Sequence, residues 1–477
     1  MIIKTEFKKT QISTKMHEIF LTTVIFLIFS VILLACSKNN DRKNTKIKTL
    51  PMKEKQISFT GKNHFLDNND NFSPDNNFLC YDTRGTVYND NIGNSKTIEK
   101  IEISTGIETV LYNPESVAGE QAAPGVGAVS WHPAEDKMIF IHGPLLEEVE
   151  KRGYYAIPNR TGVEVSADGK GTTTKVDLRD VETNRPTTPG AQRGGTHRHE
   201  YARNGKRIGF TYDDFLNTNY DRTIGYMEPN SMAPSGYTHF FTVILKPAEK
   251  GKSKAGEIEK AYGDSWVDLA GEMRAFIGKV RAENGVDYQT DLFVADIPES
   301  VDITTAFSGN GNEYPEPPKG ITIRRLTHSG KIEGIVRGSF DGGMIAYLSP
   351  DKSGVLQVFA INSKGSDLSG DENLKPIQLS TFNTNATSPR WHPKKNWLFV
   401  ISNGNIAAIC AETGKNFGKT FMLTNDSQER GELVVSNDGN MLAYSILKTG
   451  SNKDETKKFR QIFVLNLDWN KILKSIK

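Results

Sequence analysis

Cysteine is nearly absent from this chain, with three among 477 residues and none of the paired spacings of a zinc knuckle or a thiol redox motif. That excludes a disulfide scaffold. Cys80 and Cys410 lie far apart inside apolar stretches and read as small buried hydrophobes. An excess of one charge is missing too. Lysine plus arginine total 59 against 57 acids, and residues 1–35, with four lysines and two glutamates, carry the whole net charge of +2. No arginine-rich stretch interleaves with aromatics, so nucleic acid is not expected as a partner. The glycines of TTPGAQRGG (residues 187–195) neither follow a strand nor open a helix, which excludes a phosphate-binding loop.

What the chain has is one short sentence, rewritten many times. A turn followed by a burst of strand recurs as SPDNNFLCYD (73–82), WHPAEDKMIFIH (131–142), YARNGKRIGFTY (201–212), FDGGMIAYL (340–348), WHPKKNWLFVI (391–401) and SNDGNMLAYS (436–445). Anchoring on the strand gives Leu79, Ile139, Ile208, Ile345, Phe399 and Leu442, and a gap of double width is filled by a weaker unit at Phe276. Seven units of about four strands predict an all-β, seven-bladed β-propeller over residues 55–477. KQISFT (55–60) resembles the last strand of a blade and has no earlier blade to join. It is therefore expected to complete blade seven and close the ring. Residues 246–273, rich in Lys, Glu, Ala and Gly, read as an insertion: a short helix, a lid or a docking loop.

Long apolar runs are confined to residues 19–34, which follow a lysine-rich head and end in LLAC at Cys36. This is the grammar of an export signal. LLAC resembles the bacterial lipoprotein box, which implies cleavage after residue 35 and lipidation of Cys36. Residues 36–54 are polar and aperiodic, as a tether is. The expected setting is the bacterial cell envelope, with membrane lipid as a partner through Cys36 and the outer membrane as the destination.

The densest polar cluster is GGTHRHEY (194–201), followed one strand later by TYDDF (211–215). Strand alternation places His197 and His199 on one face and Arg198 and Glu200 on the other. Two imidazoles sharing a face could hold a divalent metal or exchange a proton, with His142, Asp213 or His239 completing a ligand set. His142 ends the second strand of blade two, the position that Tyr212 and Asp213 take in blade three. His142, Tyr212, Asp213 and His197 are expected to converge on one mouth of the channel, and these with His199 and His239, which introduces a later strand of blade three, are the expected ligand-binding residues. His132 and His392 sit in WHP turns and are expected to be structural.

Ser436 to Tyr444 (SNDGNMLAY) and the strand QIFVLNL (461–467) resemble the repeats of TolB-like propeller proteins. More narrowly, PGVGAVSWHP (124–133), FIHGP (140–144) and GGTHRHEYARNGKRIGFTYDD (194–214) are similar to a bacterial family of exported TolB-like propellers of unknown function. The resemblance implies a binding or scaffold module for an envelope protein or glycan. A more distant fold-level likeness to propeller polysaccharide lyases implies the alternative, β-elimination on a uronate glycan. There His197, His199 or Tyr212 would abstract the proton, and Arg198 or a metal would meet the developing charge.

Overall fold

The computed structural model describes residues 47–67, 70–85, 92–328, 330–449 and 457–476. The lipobox at Cys36 and its signal lie outside them. Residues 48–477 form one unit. Seven antiparallel sheets follow one another along the chain as the blades of an all-β propeller. The second strands of the blades are Phe78–Asp82, Lys137–His142, Ile208–Asp214, Met273–Arg281, Met344–Pro350, Trp397–Ser402 and Met441–Thr449. Each carries one of the seven anchors, all fully buried between neighbouring blades.

The turns that launch these strands are built by local side chains. Ser73 Oγ donates to Asp75 at 2.6 Å and accepts from the amide of Phe78 at 2.9 Å, and the same pair of distances recurs at Ser339, Asp341 and Met344 and at Ser436, Asp438 and Met441. Short polar side chains that bond the backbone two to five residues on are strong turn formers. In the WHP turns an imidazole takes over. His132 Nδ1 accepts from the amides of Ala134 and Glu135 at 3.2 and 2.9 Å, and His392 Nδ1 from Lys394 at 2.9 Å. Accepting requires the neutral ring, and burial pushes both pKa values down, His392 to about 4. Both histidines are turn caps.

The strand nearest the axis is irregular in every blade. Its ladder slips past one extra residue between Gly127 and Ser130, His197 and Glu200, Tyr262 and Ser265, Thr387 and Arg390, and Gly431 and Val434, and past two between Glu333 and Arg337. At each slip one residue adopts positive φ: Ala128, Arg198, Gly263, Gly334, Ser388 and Glu432. Asp67 (φ 55°) does so in blade one, between bridges from Phe65 to Asp82 and from Phe72 to Leu79. Bulges of this kind re-aim side chains.

Three boundaries differ from expectation. Lys48–Thr49 pairs in parallel with Thr420–Met422 as a fifth strand of blade six, and Leu50 is buried there, so the stretch expected as tether to residue 54 is already sheet. Glu54–Gln56 then pairs antiparallel with Lys458–Asn466 of blade seven. The expected insertion at 246–273 is half blade: Ile258–Trp266 is the innermost strand of blade four. Its charge hid it, because Glu259 is buried and accepts from Arg281 Nη2 at 3.1 Å and from Tyr288 Oη at 2.7 Å. Finally, the tail forms a helix, Trp469–Ile476, that buries Ile472 and Ile476 on blades six and seven. Trp469, Ile472 and Ile476 have the spacing of one helical face.

Candidate functional site

The strand Gly194–Tyr201 owes its place to two glycines. A Cβ on Gly195 would lie 1.9 Å from the Ile157 carbonyl oxygen, and one on Gly194 equally close to that of Asp213. Only glycine lets three stretches of backbone approach so nearly. The result is a lateral row: Arg160 bridges in parallel to Gly195, which pairs in turn with Asp213. Asp213 is engaged by Arg222, whose Nε and Nη2 lie 2.9 and 2.8 Å from Oδ2. Arg160 is 6% exposed, with its guanidinium 5.1 Å above the Tyr155 ring. Among the described residues its Nε and Nη1 meet no hydrogen-bond partner, and the carboxylate whose field reaches it is Asp213.

His197 stands in this upper mouth, at the end of the channel where the inner strands begin. Burial first, then Arg160, Arg222, Arg84 and Arg198, hold its pKa well below the ordinary value. It is a neutral imidazole in a field of cations. Arg198 occupies the bulge with φ 58° and stands deeper, within electrostatic reach of Arg337 and Arg390.

The other expected members are elsewhere. The bulge between His197 and Glu200 breaks the alternation on which a shared histidine face rested. His199 is fully buried, shares a hydrogen bond of 3.0 Å with Thr196 Oγ1, and packs on Phe210; burial lowers its pKa to about 3. Tyr212 belongs to the core between Phe241 and Tyr314, donates to Asp214 at 2.7 Å, and has its pKa driven far up by burial and by Asp214. His142 does reach the upper end of blade two but points into a flank cleft of about 520 Å³ with Asp177, Arg179 and Asp180, where it is 2.9 Å from the Tyr112 hydroxyl. Burial pushes it to about 4. His239 opens the outermost strand of blade three, at the opposite end, beside Thr238. Among the described residues no three His, Cys, Asp or Glu side chains converge as a metal site, so a divalent metal on His197 and His199 finds no third ligand there.

At the lower end the inner strands deliver residues that the sequence reading passed over. Glu200 accepts from Arg337 Nη1 at 3.1 Å and from Arg274 Nη1 at 3.2 Å, while Arg274 Nε also donates to Asp264 at 2.7 Å. Trp266 and Trp391 donate their indole N–H to the carbonyls of Glu200 and Arg337 at 3.1 and 2.9 Å. Arg203 donates to the carbonyls of Gly338, Ser339 and Phe340. A signal for this layer is the polar residue two or three places after five of the bulges, Ser130, Glu200, Ser265, Arg337 and Arg390, visible only once the bulge is known.

Solved propellers that match include a putative TolB of Agrobacterium tumefaciens, at 12% identity and TM-score 0.37 over 78% of this chain and 98% of that one. TolB of Acinetobacter baumannii matches at 11% and 0.38 over 82% and 80%. The model of a protein family of unknown function, DUF3748, matches residues 125–233, which include His142, Arg160, His197 and Asp213. The uncharacterized protein YidR of Escherichia coli (strain K12) is 30% identical over 420 residues, covering 82% of this chain and 94% of its own. The chain belongs to the DUF3748 family, with YidR among its relatives.

Proposed function

We propose that this chain is a lipid-anchored protein of the bacterial cell envelope, held through Cys36, whose propeller binds an envelope protein or glycan at the upper channel mouth without transforming it. LLAC at the end of the apolar run supports the anchor. The observation that carries binding over reaction is the position of Tyr212. Abstraction of a proton beside a uronate carboxylate needs a base in hydrogen-bond reach of substrate, and Tyr212 is buried in the core with its hydroxyl given to Asp214. His199 is equally enclosed. His197, Asp213 and Arg222 remain at the mouth to make contact. The pairing of Glu54–Gln56 with blade seven supports a second role for the N-terminal segment, fastening the ring; Arg430 Nη2 holds Glu54 from both oxygens at 2.7 and 2.8 Å.

Capture from envelope extracts tests the reading. Wild type is expected to retain a partner that His197→Ala loses, and equal capture by the two would remove the mouth from the hypothesis. Mass spectrometry is expected to find lipid on Cys36 and none on Cys36→Ala. Turnover of a uronate polysaccharide to an unsaturated, ultraviolet-absorbing product, lost in His197→Ala, would replace binding with catalysis.

A further inference from the structure

We propose that the upper mouth contains an anion seat in which the Arg160 guanidinium takes a carboxylate or phosphate group of the ligand. The inference rests on the mouth being the ligand site and adds the chemistry of what enters. A guanidinium is rarely enclosed without acceptors, because a buried donor left unmade is costly. Arg160 is enclosed, and among the described residues its Nε and Nη1 find none. Its neighbours answer that charge in part, through the field of Asp213 and the Tyr155 hydroxyl beside it. The carboxylate in its row, Asp213, is taken by Arg222 at 2.8 Å. Two guanidiniums therefore share one acid, beside a neutral His197, and the Tyr155 ring 5.1 Å away backs the plane of Arg160. The planar fork of arginine matches the two oxygens of a carboxylate or phosphate better than any other side chain does.

Arg222 also opens a second space. A groove of about 750 Å³ is lined by Arg222, Lys260, Lys279 and Lys331 with Tyr262 and Tyr288, and no acid is among its lining residues.

Inorganic phosphate, acetate and citrate, each at constant ionic strength against chloride, separate the two sources of the anion. Phosphate, or the two carboxylates, is expected to raise the melting temperature of the full chain and to bind in titration calorimetry. Arg160→Lys keeps the charge and loses the fork, so affinity is expected to fall about tenfold to a hundredfold. Arg160→Met is expected to lose the response and, freed of an unsatisfied buried cation, to melt higher than wild type without ligand. If Arg160→Met does not fold, Arg160→Lys decides alone. No effect of any anion beyond chloride on wild type, or an undiminished effect on Arg160→Lys, overturns the seat. If anions fail while His197→Ala still loses its envelope partner, the seat is wrong and the mouth reading stands; if anions bind through Arg160 while capture ignores His197→Ala, the seat stands and the partner reading falls.

Discussion

At the lower end of the channel Glu200 lies between Arg337 and Arg274, Arg274 also holds Asp264, and two indoles and Arg203 close onto backbone carbonyls. At the upper end Arg160 has no such hydrogen-bond partner for Nε and Nη1 among the described residues, and Arg222 takes Asp213. The two ends use the same side-chain types. They differ at one pair of arginines: Arg337 has Glu200 as its ion-pair partner, and Arg160 has no carboxylate to itself. A buried charge met by a neighbouring blade locks two blades together, whereas one left unmet stores a binding preference that something from outside can satisfy.

The comparison breaks first at Glu200. Glu200→Ala would leave Arg337 enclosed without its acid and is expected to cost about 3–5 kcal/mol in denaturant unfolding. A loss near zero would mean that the lower end is held by apolar packing alone.

Acid sharpens the contrast next. His142 falls from 6.5 to about 4 on folding because burial opposes its charged form. A depressed histidine adds stability that is whole above pH 6.5 and is lost as pH falls toward 4, since the unfolded chain takes up the proton first. The loss over that window is expected to reach about 3 kcal/mol. His142→Gln is expected to flatten the profile of melting temperature between neutral and acid pH, and an unchanged profile would assign the acid sensitivity elsewhere.

The smallest effect is expected at Asp213. Its pair with Arg222 is about a quarter exposed, so Asp213→Asn is expected to cost under about 1 kcal/mol. It also releases a second guanidinium into the mouth. Phosphate or citrate is therefore expected to shift this variant's melting temperature further than that of wild type, and a smaller shift would argue that Asp213 helps to shape the seat.

The blades were legible because their signals are local. Ser-x-Asp and WHP turns bond backbone within five residues, and the apolar run after each turn marks the second strand, so Leu79 through Leu442 could be read directly. The inner strands were not legible. Arg198 and Glu432 are poor candidates for a left-handed backbone, and nothing near them in sequence announces a bulge, so strand alternation assigned His197 and His199 to one face and was wrong. Ile258–Trp266 was obscured by Glu259 and Lys260, which look like surface until Arg281 and Tyr288 arrive from the next strand. Arg160 gave no signal at all. Its meaning comes from Gly195 and Asp213, brought beside it by the fold.

The recurring bulge occurs on glycine twice and on Ala, Arg, Ser, Asp and Glu once each. Since the register persists whatever the side chain, the backbone of the ring does not depend on which letter stands there. A propeller built this way separates its vocabulary from its frame: the residue at the bulge itself differs from blade to blade while the sheets behind it keep their order.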